Sequence, residues 1–329
     1  MADLFLAGLA AKTGSTRLTV ADAISSGAYE TERALEDGYE SVVSEPDAAP
    51  YEMAADVAKQ ALKEASQSPS IVVYGSIHRH GHARLWSPAS WLQNQLELSG
   101  TVPAIAIQQG CNGLMQAVAM TMSTGNTDSA LFVGADCFHD SGFDRWKSDY
   151  GLIYGDAAAA FVLSRKSGFA RILHTKIDGV PALEELHRNA NPSPETQTSW
   201  HTEYDIRRTK RAFLQAHGAA AFADPLVAAL QRLRGDLEQN PHWRGEADVL
   251  LTPFVGNKTR HATYEHVFGH LAPHNAWDIG KKLGHLGTTD AWVGLDHLRQ
   301  QGALHSGQHV LIISAGVGFS CGATLLEIL

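Results

Sequence analysis

The sequence predicts an α/β fold in which a mostly parallel sheet is covered by helices on both faces. Short apolar segments typical of buried strands alternate with segments of helical periodicity, the order that such a sheet requires. Residues 129–135 also resemble residues 308–315, and each segment is followed by a glycine-containing loop and a last apolar strand. The chain is therefore predicted to contain two copies of one α/β unit, spanning residues 1–167 and 168–329.

The first copy begins with a strand at residues 4–9. An amphipathic helix is predicted over residues 51–66, because its apolar side chains recur at helical spacing. Another helix opens at Pro88, a favourable first-turn residue, and runs to Gly100. The remaining elements of this copy are apolar runs predicted as strands, at residues 71–75, 102–107, 130–135 and 157–163.

The second copy repeats the alternation, with a polar loop predicted at residues 189–194. Its predicted strands cover residues 169–177, 248–253, 309–315 and 321–328. Its predicted helices cover residues 203–216, 225–239, 258–270 and 291–301.

The composition excludes several classes of protein. The 329 residues carry a net charge of −9 without a dense Lys/Arg stripe, which argues against a nucleic-acid partner. No apolar run reaches the length of a membrane span. Three cysteines without a C-x-x-C pair indicate a reducing compartment, so the cytoplasm is expected. His78, His80 and His82 alternate as chelating residues can, but a polar loop is the preferred interpretation, and no metal or bound cofactor is predicted.

Cys111 lies where a predicted strand turns sharply into a helix. The apolar run ends at Ile107, and Leu114, Val118 and Met122 then recur at helical spacing. The first N–H groups of a helix are unpaired and its dipole is positive there, so a thiol at this place is expected to react as a thiolate. The alternative is a buried structural cysteine, but the strand–Cys–Gly–helix context favours a nucleophile.

A cysteine nucleophile needs a base, an orienting group and donors for the oxyanion. His285 lies in a glycine-bounded loop, and Asp290 follows at the start of a predicted helix. A carboxylate there can reach the imidazole and fix its tautomer, or it can serve only as a helix cap. The glycine-rich residues 316–318 are candidates for an oxyanion donor that complements the Cys111 N–H, with a tight turn between strands as the alternative.

Two polar features are candidates for substrate binding. Asn257 follows a predicted strand end, where it can bind a substrate carbonyl or cap the next helix. Arg208 belongs to residues 207–211, the most basic point of an acidic chain. This cluster can meet the phosphates of CoA or an acidic carrier protein that bears phosphopantetheine, or it can form a solvated helix face.

Together these residues resemble the ketoacyl-ACP synthase III group of the thiolase superfamily, over nearly the whole chain and most strongly in residues 101–166 and 248–329. The resemblance implies a duplicated thiolase-like fold of five layers, α-β-α-β-α, in a homodimer. It implies that Cys111 is the nucleophile at the head of a buried helix and that Val317 donates the second oxyanion N–H. The aromatic residues then expected to line the acyl tunnel are Trp86, Phe254 and Trp292.

Two positions depart from the condensing members of this group. Their Pro-His-Gln-Ala-Asn segment, whose histidine helps to decarboxylate a malonyl unit, matches residues 253–257, where Phe254 replaces the histidine. Their His-Gly-Asn-Thr segment, whose asparagine is catalytic, matches residues 283–286, where His285 replaces the asparagine. The chain instead resembles a divergent branch of natural-product pathways, including polyketide and antibiotic biosynthesis, in which a His–Asp pair serves the nucleophile.

Three functions follow as hypotheses. The first is an acyltransferase in which Cys111 takes an acyl group from CoA or a phosphopantetheinyl carrier protein, and His285 with Asp290 passes it to a hydroxyl, amine or carrier thiol of a small molecule or protein. The second is decarboxylative condensation with a malonyl-type extender. The third is a non-catalytic subunit, which the presence of Cys111 together with His285 and Asp290 argues against.

Overall fold

The computed structural model describes residues 3–77, 86–124, 127–139, 141–187 and 206–329. The histidines at 78, 80 and 82, the loop at 189–194 and the first residues of the helix predicted from 203 lie outside these ranges. Within them, the strands are β1 Phe5–Thr13, β2 Thr16–Thr19, β3 Ser41–Ser44, β4 Val72–Gly75, β5 Ala104–Ile107, β6 Ser129–Asp136, β7 Ala157–Ser164, β8 Ala170–Gly179, β9 Val249–Leu251, β10 His274–Asn275, β11 His309–Gly316 and β12 Ser320–Ile328.

The α-helices of the same residues follow the predicted positions closely, although the helix from Pro88 ends at Gln95 and several short helices were not predicted. They are α1 Val20–Ser25, α2 Thr31–Asp37, α3 Pro50–Ala65, α4 Pro88–Gln95, α5 Gly113–Thr124, α6 Ile206–His217, α7 Ala220–Glu238, α8 Asn257–Arg260, α9 His266–Phe268, α10 Trp277–Leu283 and α11 Asp290–Gln300. A π-helical stretch, His261–Glu265, joins α8 to α9. Short 3₁₀ turns lie at Gly110–Asn112, Pro181–His187, Gly269–Leu271 and Gly287–Thr289.

The main sheet has the strand order β10-β9-β11-β12-β8-β1-β7-β6-β4-β5, and a separate pair joins β2 to β3. Outward from the central contact of β1 with β8, each side has two antiparallel pairs followed by two parallel pairs. The two sides therefore repeat one unit. The similar segments at 129–135 and 308–315 fall on β6 and β11, which occupy equivalent places. The chain passes from one side to the other between Ser164 and Ala170.

The prediction of a mostly parallel sheet was wrong, because the sheet is mixed. In each unit the last strand, β7 or β12, runs antiparallel to both of its neighbours. This arrangement places the connecting turn between β11 and β12 beside the helix that follows β5. The sequence pattern did not reveal it, since buried parallel and antiparallel strands are both continuously apolar.

Helices lie on both faces of this sheet and between its two halves. Helices α3 and α4 cover the outer face of the first unit, and α7 covers the outer face of the second. Helices α5 and α11 contact strands of both units, so they form the middle layer. The order is α-β-α-β-α, as predicted. The middle layer matters for function, since Cys111 precedes α5 and Asp290 begins α11.

None of the described helices alone is long and apolar enough to cross a membrane. Only α6 and α7 taken together, bent by 98° where they join, have the required length and composition.

Candidate active site

Cys111 lies in the 3₁₀ turn that leads from β5 into α5. Gly110 adopts a φ of 52°, and a Cβ on it would lie 2.3 Å from Cγ2 of Val317, so glycine is required for this approach. The Cys111 side chain is half-buried, and its Sγ lies 3.0 Å from Nε2 of His285. The predicted nucleophile and base are therefore in direct contact across the two halves of the chain.

His285 is held by its own main chain and by neighbouring side chains. Its N–H donates to the carbonyl of Ile153 at 2.8 Å, and its carbonyl accepts from the N–H of Gly155 at 3.0 Å. The imidazole is only 3% exposed, and its Nδ1 lies 2.6 Å from Oδ2 of Asp290. With a carboxylate accepting from Nδ1, the neutral imidazole carries its proton there and directs the Nε2 lone pair at Sγ.

Asp290 is the first residue of α11, but it does more than begin the helix. Its Oδ1 accepts from the N–H of Leu286 at 2.6 Å. Its Oδ2 accepts from the N–H of Phe254 at 2.8 Å, in addition to the contact with His285. These main-chain donors hold the carboxylate in one orientation. The sequence allowed Asp290 either to contact the imidazole or to cap the helix, and the structure shows the contact with the imidazole.

The electrostatics of this cluster favour a charged imidazole. Burial by itself lowers the pKa of His285, but the interactions of the imidazole with Asp290 and with Cys111 raise this pKa and outweigh the effect of burial. The pKa of His285 is consequently raised well above its ordinary 6.5. A charged imidazole places a proton donor beside the sulfur of Cys111.

The turn between β11 and β12 closes on Cys111 from the opposite side. A Cβ on Gly316 would lie 2.4 Å from the N of Asn112 and 3.0 Å from the N of Cys111. A Cβ on Gly110 would lie 3.0 Å from the N of Val317. The main-chain N–H groups of Cys111 and Val317 thus belong to two segments in direct contact. This is compatible with a shared oxyanion site, although the segment is also the tight turn considered as the alternative.

Polar side chains tie this turn to the start of α5. Asn112 is fully buried, its Oδ1 accepts from the Ser314 hydroxyl at 2.6 Å, and its Nδ2 donates to the Ser320 hydroxyl at 3.0 Å. Gln116 also donates to Ser320, at 2.7 Å. Ser314 lies near the end of β11 and Ser320 begins β12, so Asn112 ties both strands beside the turn to the segment that carries Cys111.

A cavity of about 20 Å³ lies beside Cys111 and His285, which is room for about one water molecule. Its apolar walls include Met115, Pro253 and Trp292. Trp292 is fixed by stacking on Phe161, with ring centroids 3.7 Å apart. Of the three aromatic residues expected to line the acyl site, only Trp292 lines this cavity.

Phe254 and Trp86 do not line this cavity, and their predicted place along an acyl tunnel stays a prediction. The Phe254 ring is 1% exposed and packs against Gly280 and Gly294, where a Cβ would come within 2.5 Å and 3.3 Å of it. Its contribution to the site is the main-chain N–H given to Asp290. Trp86 packs edge-on against Tyr51 at 5.0 Å.

Asn257 does not cap the next helix, and its predicted contact with a substrate carbonyl stays a prediction. It is the first residue of α8, whose cap residue is Gly256, and its Oδ1 accepts from Arg260 at 2.7 Å. Its amide also lies against Gly38, where a Cβ would come within 2.1 Å of Nδ2. The side chain is therefore used to join α8 to the segment after α2, and it does not line the described cavity.

Arg208 is exposed on α6, and several neighbouring side chains of the same helix contact the segment around Asp149. Lys210 Nζ lies 2.5 Å from Oδ1 of Asp149, and the Arg207 guanidinium lies 4.7 Å from the centroid of the Tyr150 ring. Arg211 donates to the hydroxyl of Tyr150 at 3.1 Å. Much of the basic cluster is thus bound to the segment around Asp149, and the exposed Arg208 lies beside it.

Two contacts of the His285 loop were not predicted from the sequence. Asp136 accepts from the N–H groups of Thr288, at 3.2 Å, and Ile77, at 2.8 Å. Tyr154 pairs with His285 in an isolated bridge and places its ring 5.3 Å from the imidazole. The sequence shows the Tyr154-Gly155-Asp156 segment before β7, but nothing in the spacing of this segment indicates a contact with His285.

Among the described residues, no group of three or more His, Cys, Asp and Glu side chains is placed to hold a metal ion. Cys137 and Cys321 are buried, and burial raises the pKa of both thiols, for Cys321 to about 12. Neither is therefore a rival to Cys111 as nucleophile.

The chain is similar to known proteins over nearly its whole length. Residues 105–179 match the family model for 3-oxoacyl-[acyl-carrier-protein] synthase III, and residues 252–328 match the model for the C-terminal part of that enzyme. The β-ketoacyl-[acyl-carrier-protein] synthase III of Aquifex aeolicus is 30% identical over 282 residues, 84% of this chain and 83% of the relative. The corresponding enzyme of Histophilus somni is 22% identical over 279 residues, 84% of this chain and 83% of its own.

Solved structures agree with these matches. ChlB3, described as an acyltransferase, superimposes with a TM-score of 0.87 at 27% identity, covering 99% of this chain and 98% of its own. The Aquifex aeolicus synthase superimposes with a TM-score of 0.76 at 21% identity, covering 98% of this chain and 99% of its own. The chain belongs to the β-ketoacyl-[acyl-carrier-protein] synthase III family of the thiolase superfamily.

Proposed function

We propose that this protein is an acyltransferase of secondary metabolism. It moves an acyl group from a thioester of CoA or of an acyl carrier protein, through a thioester on Cys111, to a hydroxyl, an amine or a carrier thiol. The observation that carries this proposal is the position of the His285 imidazole, with Nε2 3.0 Å from Sγ of Cys111 and Nδ1 2.6 Å from Asp290. Nucleophile, base and orienting carboxylate are the parts that covalent acyl transfer requires.

The first half-reaction loads the enzyme. The Cys111 thiolate attacks the thioester carbonyl, and the N–H groups of Cys111 and Val317 stabilise the negative oxygen of the tetrahedral intermediate. The intermediate collapses by breaking the carbon–sulfur bond of the donor. The departing thiolate takes the proton from Nε2 of His285, leaving a neutral imidazole and an acyl-Cys111 thioester.

The second half-reaction unloads it. The neutral Nε2 of His285 removes a proton from the acceptor hydroxyl, amine or thiol as this group attacks the acyl carbonyl. The second tetrahedral intermediate breaks the bond to Sγ, which releases the product and restores the thiolate beside the imidazolium. Asp290 accepts from Nδ1 and stabilises the imidazolium that forms in this step.

Decarboxylative condensation is the alternative, and membership of this family supports it. Loss of CO₂ from a malonyl thioester creates an enolate whose oxygen needs hydrogen-bond donors. The side chain of Phe254 offers none and is buried against Gly280, away from Cys111. Phe254 and His285 stand at the two positions where condensing members are expected to carry a histidine and an asparagine, so His285 would have to do the work of both partners. The similarity to ChlB3, described as an acyltransferase, favours plain transfer.

We propose a homodimer that pairs through the edge of the sheet. Strand β5 is the last strand of the main sheet, with a described neighbour on one side only. Ile105 on this strand is 37% exposed, and Met120 on α5 is 47% exposed. A sheet edge beside exposed apolar residues is suited to strand pairing with a second copy.

The cytoplasmic location stays a prediction from the cysteine pattern.

Acylation and CO₂ release together test the proposal. The protein is incubated with acetyl, malonyl and longer acyl thioesters of CoA, and its intact mass is measured. We expect a mass increase that Cys111→Ala abolishes and that Cys137→Ala, a variant of a buried thiol, retains. Labelled malonyl thioester then gives transfer without CO₂. Stoichiometric CO₂ release with product would support condensation instead, and acylated Cys111→Ala protein would contradict the assignment of the nucleophile.

A further inference from the structure

We propose that Tyr154, Asp149 and Lys210 form a positioning chain that holds the His285 imidazole in line with Cys111. The inference rests on the proposed role of His285. It concerns three side chains outside the Cys111–His285–Asp290 cluster that lead from the imidazole to the surface helix α6. In the sequence they belong to the basic cluster and to the segment before β7, and the acyl-transfer steps above use none of the three.

Tyr154 contacts the His285 ring directly. Its own ring lies edge-on to the imidazole, with centroids 5.3 Å apart and planes at 68°. The main chain on either side is hydrogen-bonded to His285, through the carbonyl of Ile153 and the N–H of Gly155. Asp290 restrains the imidazole at Nδ1, and the Tyr154 ring blocks rotation away from Cys111 on another side.

The hydroxyl of Tyr154 is anchored by a buried carboxylate. It donates to Oδ2 of Asp149 at 2.7 Å, and Asp149 is 2% exposed. Burial, together with the charge of Asp149, holds the pKa of Tyr154 well above its ordinary value. The phenol therefore remains protonated and remains a donor over the whole range in which the enzyme can work.

Asp149 needs a partner because a buried carboxylate without compensation is costly. Its Oδ1 accepts from Lys210 Nζ at 2.5 Å and from the N–H of Tyr150 at 2.7 Å. The Lys210 side chain is 14% exposed, so this ion pair is little screened by solvent. Lys210 thus fixes Asp149, Asp149 fixes the Tyr154 ring, and the ring fixes the imidazole.

In this positioning chain, the packing of the Tyr154 ring on the imidazole and the anchoring of its hydroxyl by Asp149 can be removed separately, so each contribution is testable. Tyr154→Phe keeps the ring and removes only the hydroxyl, so we expect kcat for acyl transfer to fall about tenfold. Tyr154→Leu removes the ring as well, and a displaced base costs about 100-fold. Lys210→Met is expected to resemble Tyr154→Phe, and Lys210→Arg to recover most of the activity because it restores the charge beside Asp149.

The pH dependence of alkylation distinguishes positioning from general destabilisation. The rate of Cys111 alkylation by iodoacetamide is measured at pH 6 and pH 9, and thermal unfolding checks that each variant folds. A thiolate paired with an imidazolium reacts at both pH values, whereas an unpaired cysteine thiol, with an ordinary pKa of about 8.5, is almost fully protonated at pH 6. We expect the pH 6 to pH 9 ratio to fall at least tenfold in Tyr154→Phe and Lys210→Met.

The matched control is Arg232→Met, which removes an ion pair of 2.6 Å with Asp178 outside this chain of contacts and should leave the ratio unchanged. Folded Tyr154→Phe and Lys210→Met proteins with wild-type ratios and wild-type kcat would overturn the positioning chain. A wild-type protein unreactive at pH 6 would overturn the thiolate–imidazolium pair of the proposed function as well, so the two failures are distinguishable.

Discussion

The main-chain N–H of Phe254 donates to Oδ2 of Asp290 at 2.8 Å, and the same oxygen accepts from Nδ1 of His285 at 2.6 Å. The side chain at position 254 lies in the core, so this residue acts on the site through its backbone. The family resemblance implies that condensing enzymes carry a histidine at the position of Phe254. In this protein the same loop orients the carboxylate of Asp290, which lies behind a different histidine, His285. The proposed acyltransferase chemistry depends on that orientation.

Replacing Asp290 by Asn should slow acyl transfer severely. Oδ2 accepts from His285 Nδ1 and from the N–H of Phe254, and Oδ1 accepts from the N–H of Leu286. An amide has only one oxygen, so its NH₂ must face one of these donor sets. The imidazole then loses its tautomer and the charge that stabilises the imidazolium, a loss of roughly 10⁴-fold in serine triads. Single-turnover transfer from preloaded enzyme measures it. A variant within tenfold of wild type would contradict the role of Asp290.

Replacing His285 should slow the transfer of the acyl group from Cys111 to the acceptor. We expect His285→Gln to lower the rate of transfer to the acceptor about 10²- to 10⁴-fold, which is the usual contribution of a general base. His261→Gln is the matched control, because His261 is a largely exposed histidine that pairs with Glu265. Quantifying acyl-enzyme and product over time checks the prediction. Rapid transfer by His285→Gln would show that another group removes the acceptor proton.

Much of this cluster could be predicted from the sequence because its parts are local. The glycines around His285 and the five-residue spacing to Asp290 are visible within one loop, and Cys111 is marked by the strand-to-helix turn. The contacts of Phe254, Asp136 and Tyr154 were invisible for a physical reason. They are made by main-chain groups or across long separations, and neither residue type nor periodicity encodes them. The mixed sheet was missed for a related reason, since strand direction leaves no mark in a buried strand.

Gly287→Ala should unfold more easily than a comparable glycine variant. Gly287 has a φ of 64°, and a Cβ on it would lie 2.2 Å from Oδ2 of Asp136. Gly302 has a nearly equal φ of 67° but open space around it. Gly302→Ala therefore reports the cost of the conformation alone, about 1–3 kcal/mol. We expect Gly287→Ala to lose at least about 1 kcal/mol more in denaturant unfolding, because a clash with a buried group is added. Equal losses would contradict the clash.

The contribution of Asp290 to stability should fall as pH rises. The pKa of His285 is raised in the folded protein, chiefly by Asp290 against the opposing effect of burial. A group with a raised folded pKa binds its proton more tightly in the folded state, so its stabilisation is complete below about pH 6.5 and is lost as pH rises through the folded pKa. The difference in unfolding free energy between wild type and Asp290→Asn should therefore shrink from pH 6 towards pH 10. In a His285→Gln background it should not change with pH, and a difference that grows with pH in the wild-type background would contradict the sign.

Replacing Arg208 should raise KM for acyl donors that carry negative charge and leave KM unchanged for donors without it. This exposed residue of α6 is proposed to meet the phosphates of CoA or the acidic surface of a carrier protein. An exposed ion pair contributes about 0.2–1 kcal/mol, so Arg208→Ala should raise KM for such donors by a factor of roughly 1.4 to 5 and leave kcat unchanged. The same acyl group on N-acetylcysteamine, which lacks the phosphates, should show no change in KM. Equal effects on both donors would mean that Arg208 acts on the fold of α6, whereas an effect confined to the carrier protein would identify that protein as the donor that α6 meets.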